Sequence, residues 1–378
     1  MNPALVERVR NRLVLSGAEP TVEAVADALR AEHQVAGSDT LLALVDVLRS
    51  DLIGAGPLDA LLRRPGVTDV LVNGHDQVYV DRGDGLERVD LVLSDEAAVR
   101  RLAQRLAVSA GRRLDDASPW VDARLADGTR LHAVLSPLAR PGTAISLRVP
   151  ARRTFSLDEL SAAHMVTPQA AADLRAIVAS RTSYVVTGGT GSGKTTVLAA
   201  LLGLVDPHER LVVVEDSTEL RPDHPHVVGL EARPANVEGA GEITVRDLVR
   251  QALRMRPDRL VVGEVRGAEV VDLLAALNTG HAGGCSTVHA NSPADVPARF
   301  EALGVAAGMP RAAVHSQLAA GLDLVIHLDR DRSGRRLDQI AVLQRTGTDL
   351  VEAVVARTYR RGESLDGPAA RHLQGLVR

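Results

Sequence analysis

The first fifty residues carry apolar side chains at helical spacing. Apolar positions recur every three or four residues through residues 5–13, 22–29 and 41–48, as expected for helices that bury one face. Glycine and proline at residues 54–57 end the last of these segments. The pattern therefore predicts an N-terminal helical region over residues 1–50.

The next hundred residues, 51–150, change to short strands and turns. Residues 70–74 run into a turn, and residues 77–81 alternate like the other arm of a hairpin. An Asp-Gly pair at residues 127–128 separates two further apolar runs, which predicts a second hairpin. One helix with an apolar stripe lies between the hairpins, at residues 97–110. We expect a small α+β domain here.

Beyond a linker at residues 151–165, which contains a capping box at residues 156–159, strands and helices alternate. Residues 166–345 are therefore predicted to form a mostly parallel sheet with helices on both faces. The predicted strands are residues 184–187, 211–214, 260–262 and 284–288. Residues 346–378 form a C-terminal tail, and its polar end from Gly362 is expected to be disordered.

The composition is that of an ordinary folded protein, with 45% hydrophobic and 24% charged residues. At 378 residues we expect more than one domain. No apolar run approaches the ~18–20 residues of a spanning helix, and the first residues do not resemble a signal peptide. The only cysteine, Cys285, excludes an internal disulfide framework and a four-cysteine zinc site. A cytoplasmic location is expected.

The charge pattern is informative in two ways. A net charge of −4 gives no support for general binding to nucleic acid, although a local basic patch stays open. Lysine and arginine together number 44, and Lys194 is the only lysine. We interpret the arginine bias as a GC-rich coding background, in which lysine persists where a compact ammonium is required.

That lysine lies in a glycine-rich segment that matches the phosphate-loop pattern G-x-x-x-x-G-K-[ST] in full. A predicted strand precedes it and an apolar helix follows, so a helix N-terminus would face the bound anion. Lys194 is expected to reach the β- and γ-phosphates, and the Thr195 hydroxyl to ligate Mg²⁺. The alternative is a glycine-rich turn that matches by chance. The predicted nucleotide-binding residues are Gly188, Gly189, Thr190, Gly191, Ser192, Gly193, Lys194, Thr195 and Thr196.

Acidic residues follow the next predicted strands, at the sheet edge where ligands of parallel sheets bind. Glu215 and Asp216 follow one strand, and Glu264 follows another. We expect Glu264, and Glu215 beside it, to hold the Mg²⁺ shell through water or to polarise the attacking water. The alternative is that these carboxylates only cap the next turn. His289, after the fourth strand, is a candidate for sensing the γ-phosphate, or else a satisfied turn residue.

Together these segments resemble the type II/IV secretion ATPase superfamily, most closely its CpaF/TadA-like, tight-adherence pilus branch. Residues 188–195 resemble its Walker A motif and residues 212–216 its Asp box. Residues 257–266 resemble its Walker B motif, and residues 279–292 its His box. The order and spacing of the four segments match the family. Type II assembly ATPases carry paired C-x-x-C zinc elements, which a chain with one cysteine lacks, and this favours the CpaF/TadA-like or conjugation-type branch.

The resemblance extends over about residues 52–345, because residues 56–58, 68–74 and 121–130 resemble the family's N-terminal domain. In that family, arginines of the N-terminal domain reach the ATP phosphates. By position the candidates are Arg124, Arg130 and Arg148, each with the alternative of an ordinary surface arginine. Further arginines that could face the site or a neighbouring subunit are Arg254, Arg256 and Arg266.

The resemblance implies a RecA-like P-loop NTPase core with ATP and Mg²⁺ as ligands. It further implies a homo-hexameric ring motor that hydrolyses ATP and acts on a platform protein at the inner face of the cell membrane. Two other interpretations stay open at this point. One is a conjugation-type transfer ATPase or nucleic-acid translocase, which would use basic, aromatic-bearing loops that a 2% aromatic content does not favour. The other is a regulatory ATP-binding module with little turnover.

Overall fold

A computed structural model gives the structure of the chain, which divides into two compact units, Met1–Ala151 and Arg152–Arg378. The structure describes residues 3–34, 37–52, 54–83, 85–150, 153–235, 239–331, 334–347, 349–360 and 363–377. None of the helices in these ranges has the length and apolar character needed to cross a membrane. The domain limits expected at residues 50 and 165 stay predictions.

The first unit begins with helices, as the apolar spacing predicts. They are α1 (Pro3–Ser16), α2 (Val22–Ala31) and α3 (Ser38–Leu52). The Thr21 side chain caps α2 by accepting a hydrogen bond from the Ala24 N–H at 3.2 Å. The helices share a small core that consists of Val9, Leu13, Val25, Ala28, Leu29, Leu44, Val45 and Leu48.

The rest of the first unit is built on an antiparallel sheet, which together with its helices confirms the predicted α+β arrangement. A 3₁₀ turn (Gly56–Leu58) and the short helix α4 (Asp59–Leu62) lead into it, and α5 (Glu96–Ser109) shares its core. In the described part of this unit the strands are β1 (Asp69–Asn73), β2 (Val78–Asp81), β3 (Leu86–Val89), β4 (Trp120–Arg124), β5 (Arg130–Val134) and β6 (Ala144–Arg148). Their order is β3-β2-β1-β6-β5-β4, and β1–β2 and β4–β5 are the two predicted hairpins.

The second unit contains a mixed sheet whose centre is parallel. Its described strands are β7 (Tyr184–Gly188), β8 (Leu211–Glu215), β9 (Val227–Glu231), β10 (Arg259–Val262), β11 (Cys285–Val288), β12 (Leu324–Asp331), β13 (Gly334–Arg345), β14 (Val351–Arg360) and β15 (Glu363–Asp366). The order is β15-β14-β13-β12-β7-β11-β10-β8-β9, parallel from β12 to β9 and antiparallel from β12 to β15. Strands β7, β8, β10 and β11 are buried along their whole length, which explains their continuous apolar runs.

Helices cover both faces of this sheet, so the predicted α/β core is confirmed. The described helices are α6 (Leu157–Ala162), α7 (Pro168–Ala179), α8 (Lys194–Leu202), α9 (Val245–Ala252), α10 (Glu269–Leu277), α11 (Val296–Ala306), α12 (Arg311–Gly321) and α13 (Ala370–Leu376). Helices α6, α7, α8 and α13 share a core with side chains such as Val186 and Ile326. Helices α9 to α12 share the core of the opposite face, with Val185 and Val325. Alternate strand residues thus serve opposite faces.

The expectation of a disordered C-terminal end was wrong for the described residues 363–377. Strand β15 extends the sheet beyond β14, and α13 packs into the same core as α8. The cause is a set of contacts that is not visible in local composition. The Tyr359 hydroxyl donates a hydrogen bond to Asp173 on α7 at 2.5 Å, and Arg357 pairs with the same carboxylate at 2.7 Å. Polar and charged residues that suggest a solvated tail therefore hold the C-terminal segment against the core.

Candidate active site

The predicted phosphate loop connects β7 to α8, and its glycines lie where side chains would not fit. Gly188 has a φ of +144°, and a Cβ built there would lie 2.3 Å from the Leu328 carbonyl oxygen. Gly193 has a φ of +95°, and a Cβ there would lie 2.8 Å from Met165 Cε. Both positions therefore favour glycine, because their φ values are strained for other residues and because a Cβ at position 188 would collide with a backbone carbonyl. The strand–loop–helix context predicted from the sequence is confirmed.

Lys194, the first residue of α8, folds back over this loop. Its side chain is 8% exposed, and Nζ donates to the carbonyl oxygens of Gly188 at 3.0 Å and Gly189 at 3.1 Å. Burial lowers the pKa of the Lys194 ammonium, and Arg266 lowers it further, while Glu264 acts in the opposite direction. An ammonium held in this way is poised to exchange backbone carbonyls for a stronger anionic partner.

The other loop residues differ in exposure. Gly189, Thr190 and Gly191 are exposed at the turn, and Thr195 and Thr196 are half-buried in the first turn of α8. Ser192 is 1% exposed, and among the described residues its hydroxyl has no hydrogen-bond partner. A buried hydroxyl left in this way is costly unless a ligand supplies the partner.

Strand order brings the predicted side chains together at one edge of the sheet. The neighbours β7, β11 and β10 end close to Lys194, His289 and Glu264 respectively, so the histidine lies between the other two. Lys194 Nζ is 3.4 Å from His289 Nδ1, and His289 Nε2 is 3.0 Å from Glu264 Oε1. Because an ammonium can only donate, Nδ1 accepts and the ring proton is assigned to Nε2, facing the carboxylate.

Burial and the Lys194 charge lower the pKa of His289, against an opposing effect of Glu264, so the neutral ring is favoured at this position. Glu264 itself is positioned by the end of β10, where Thr287 of β11 donates to the Gly263 carbonyl oxygen at 2.7 Å. Although His289 is near, the angles do not form a hydrogen bond, and Glu264 Oε1 has no hydrogen-bond partner among the described residues. This oxygen is therefore buried without a hydrogen-bond donor, which is costly unless a ligand supplies one.

Glu215, at the end of β8, is buried and already occupied. Its Oε1 accepts hydrogen bonds from the backbone N–H groups of Glu219 and Leu220, both at 3.0 Å. Burial raises the pKa of Glu215 to about 7, although these hydrogen bonds oppose the rise. One oxygen of Glu215 therefore caps the following turn, which is the alternative role that the sequence left open. Asp216, the next residue, is exposed.

Arg266 contacts two of the predicted carboxylates, a role that the sequence pattern alone did not indicate. Its guanidinium pairs with Glu264 Oε2, with Nε at 2.7 Å, and with Asp216 Oδ2 at 3.1 Å. Arg266 therefore holds the carboxylates that follow two different strands. The signal in the sequence was its position two residues after Glu264, where an extended backbone returns the side chain to the same side.

A cavity of about 800 Å³ lies in the second unit, next to the phosphate loop. Its lining includes His164, Met165, Thr167, Arg335 and Tyr359. Met165 lies next to both the cavity and the phosphate loop, because it also packs against Gly193. The volume falls within the ~300–1,000 Å³ of small-molecule sites.

In the first unit, the three predicted arginines lie in one row across neighbouring strands. Arg124 on β4 is opposite Arg130 on β5, and Arg130 is opposite Arg148 on β6. Arg148 also pairs with Asp69 on β1 at 3.0 Å. Paired residues of adjacent strands share a face, so the structure brings the three predicted arginines together on one face of the sheet.

The fold and the loop define an α/β protein with a RecA-like P-loop NTPase core and an N-terminal domain. The chain belongs to the type II/IV secretion system protein family, whose model matches residues 51–359. The broader part of the predicted resemblance is therefore confirmed.

Individual relatives agree with that placement. The chain is 58% identical over 344 residues to a Mycobacterium tuberculosis (strain ATCC 25618 / H37Rv) protein named for conjugal transfer, covering 89% of this chain and 97% of that protein. It is 29% identical over 281 residues to the conjugal transfer protein TrbB of Rhizobium radiobacter, covering 72% and 83%. The crystal structure of the pilus retraction motor PilT with bound ADP matches with a TM-score of 0.51 at 20% identity, covering 83% of this chain and 82% of that one, a likeness of fold alone.

Proposed function

We propose that this protein is an ATP-hydrolysing motor of a type II/IV secretion or tight-adherence pilus assembly system. One observation carries the proposal. Lys194, His289 and Glu264 form a continuous line of contacts at the edge of the sheet, beside a loop in which Gly188 and Gly193 have positive φ values. Phosphoryl transfer needs this combination of an anion cradle, an ammonium and a carboxylate.

ATP would bind with its phosphates in the loop and its base in the adjoining cavity. Lys194 would then leave the Gly188 and Gly189 carbonyls for the phosphates, and the Ser192 hydroxyl would gain an acceptor. The residues fit Mg²⁺ as well, with the Thr195 hydroxyl as a direct ligand and Glu264 Oε1 acting through water. When bound, this cation would neutralise charge that develops on the phosphates.

Within this arrangement the acidic residues have different roles. Glu264, whose Oε1 lies 3.0 Å from His289 Nε2 and has no hydrogen-bond partner among the described residues, would orient the attacking water. Glu215, which caps the turn at residues 219–220, would act as a positioning residue. Arg124, Arg130 and Arg148 of the first unit are proposed, from the family resemblance, to contact the phosphates of ATP.

The finer assignment follows from the same resemblance. We propose a CpaF/TadA-like ATPase that works as a homo-hexameric ring on the cytoplasmic side of the membrane. An inner-membrane platform protein of the pilus or secretion machine would be its partner. The motif order, together with a sequence that contains only one cysteine, supports this branch over the zinc-bearing assembly ATPases.

Conjugal transfer is the second candidate. It is supported by the names of the M. tuberculosis and R. radiobacter relatives, the first of which matches 89% of this chain. A conjugation-type ATPase would use the same nucleotide chemistry, so the site itself does not separate the two functions. The two functions differ in the cargo that is moved.

The test is ATP turnover measured against oligomer size, with and without the cytoplasmic part of a platform protein, and with and without single-stranded DNA. A motor of the proposed kind should hydrolyse ATP as a ring, respond to the platform protein and ignore DNA. Stimulation by DNA alone would favour the translocase alternative. Turnover that is monomeric and unaffected by either addition would contradict the motor.

A further inference from the structure

The hairpin formed by β12 and β13 extends past the sheet beside the phosphate loop. Strand β12 pairs in parallel with β7 until Leu328 lies opposite Gly188, the first residue of the loop. Residues 329–331 continue β12 beyond this point, paired only with β13. The tip of the hairpin therefore flanks the loop that follows Gly188.

Two arginines face each other across this tip. Arg330 on β12 is directly opposite Arg335 on β13. Leu328 and Leu337, two residues away on each strand, belong to the core that contains α8. Because side chains alternate along a strand, Arg330 and Arg335 lie on that same face, towards the phosphate loop.

Distances to the loop agree with this orientation. A Cβ built on Gly191 would lie 2.9 Å from Arg330 Nη1, and a Cβ on Gly193 would lie 3.7 Å from Arg335 Cδ. The guanidinium of Arg330 therefore touches the exposed turn of the loop, and the stem of Arg335 passes behind its last glycine. The two side chains approach the loop from one direction.

Like charges directly opposite on a hairpin destabilise it. Arg336, which follows Arg335, pairs with both Asp329 and Asp331. Within the described ranges no carboxylate forms an ion pair with Arg335. A phosphate group beside the loop could accept charge-assisted hydrogen bonds from the two guanidinium groups that lie next to it.

From these observations we infer that Arg330 and Arg335 form a phosphate clamp, supplied by the same subunit, which binds the phosphate chain of the nucleotide opposite Lys194. The inference rests on the proposed function, because it needs ATP in the loop. It adds two binding residues from a segment outside the family's four motifs.

The test compares the wild type with Arg330→Gln, Arg335→Gln and the double variant by calorimetric titration with Mg·ATP and with Mg·tripolyphosphate. We expect the double variant to bind both ligands about tenfold more weakly, because charge-assisted hydrogen bonds to the phosphates are lost. Both ligands should lose affinity, because both carry the phosphate chain that the clamp would bind. Arg345→Gln, at the far end of β13, is the control and should bind as the wild type does.

Other results would show whether the clamp or the proposed function is wrong. If the wild type binds ATP and the double variant binds it equally well, the clamp is wrong and the proposed function stands. If the wild type binds neither ligand, the proposed function itself fails. Melting temperature distinguishes a structural role, since removing a like-charge pair should leave it unchanged or higher. A lower melting temperature with unchanged affinity would overturn the inference.

Discussion

The two ends of the parallel sheet both bury charge, but they treat it differently. At the amino end, Arg259 is 2% exposed, and its guanidinium donates to Glu209 at 2.8 Å and to the Val178 carbonyl oxygen at 2.9 Å. At the carboxyl end, Lys194 rests on backbone carbonyls, and Ser192 Oγ and Glu264 Oε1 have no hydrogen-bond partner among the described residues. The Arg259 charge is thus paired within the protein, whereas the two oxygens near Lys194 are left for a ligand.

The comparison shows how stability and function divide within one sheet. A buried charge with all its partners fixes the fold, and it is strongly destabilising to remove one member of such a pair. Buried polar atoms without partners lower stability, and proteins retain them mainly at functional sites. Substitutions at the amino end should therefore mainly lower the free energy of unfolding. Substitutions at the carboxyl end should mainly lower ATP binding or hydrolysis.

The largest effect is expected for Glu264→Gln. The substitution keeps the side-chain volume and removes the negative charge that would orient water, so ATP hydrolysis should fall by about 10²–10⁴-fold while ATP binding persists. Steady-state phosphate release and equilibrium binding measure the two properties. Glu231→Gln, which alters a carboxylate at the end of the edge strand β9, is the matched control. A Glu264→Gln variant with undiminished turnover would exclude Glu264 from catalysis.

At the amino end, Glu209→Ala should act on stability instead. It leaves the Arg259 guanidinium buried without its carboxylate, so the free energy of unfolding should fall by about 3–5 kcal/mol. Asp158→Ala removes the exposed pair with Arg175 and should cost less than about 1 kcal/mol. Urea denaturation checks both values. Equal losses for the two variants would mean that burial does not set the difference.

Glu215 predicts a pH dependence. Its pKa is about 7 in the folded protein against an ordinary value of 4.5, so between these values the folded state keeps a proton that the unfolded state loses. The stabilisation is present below pH 4.5 and disappears as the pH rises through 7, at up to about 1.4 kcal/mol per pH unit. Unfolding free energies of the wild type minus those of Glu215→Gln should show this fall. A difference in unfolding free energy that does not change with pH would contradict the raised pKa.

Ser192→Ala should have the smallest effect on stability. Because the hydroxyl is buried without a partner among the described residues, its removal should change the free energy of unfolding by less than about 0.5 kcal/mol, or raise it. ATP affinity should nevertheless fall by roughly threefold to tenfold, through one lost hydrogen bond to phosphate. Thermal melts with and without ATP measure both. A clear loss of stability without ATP would show that the hydroxyl has a structural partner.

The sequence predicted the parts of the site that are local. The phosphate loop is a contiguous pattern whose residues Gly188 and Gly193 are favoured by backbone geometry. The carboxylates Glu215 and Glu264 follow buried apolar runs, so their position at the strand ends could be read directly. The small antiparallel sheet was also predictable, because its hairpins carry local turn signals.

Contacts between distant segments could not be predicted in this way. The bridge from Arg266 to Asp216 depends on the adjacency of β8 and β10, and the facing of Arg330 and Arg335 depends on hairpin register. Strands β12 and β14 were missed because charged residues interrupt their apolar pattern. Several of those charges are paired with distant residues, as Arg357 is with Asp173, and such pairing becomes apparent only when the partner is known.

The most direct test of the account is calorimetric titration of Mg·ATP into the wild type and into Lys194→Ala. If the ammonium clasps the triphosphate at this edge of the sheet, the wild type should bind ATP, and the variant should lose at least about tenfold in affinity while remaining folded. Equal binding by the two proteins, or no binding by the wild type, would contradict the assignment of this loop as the nucleotide site.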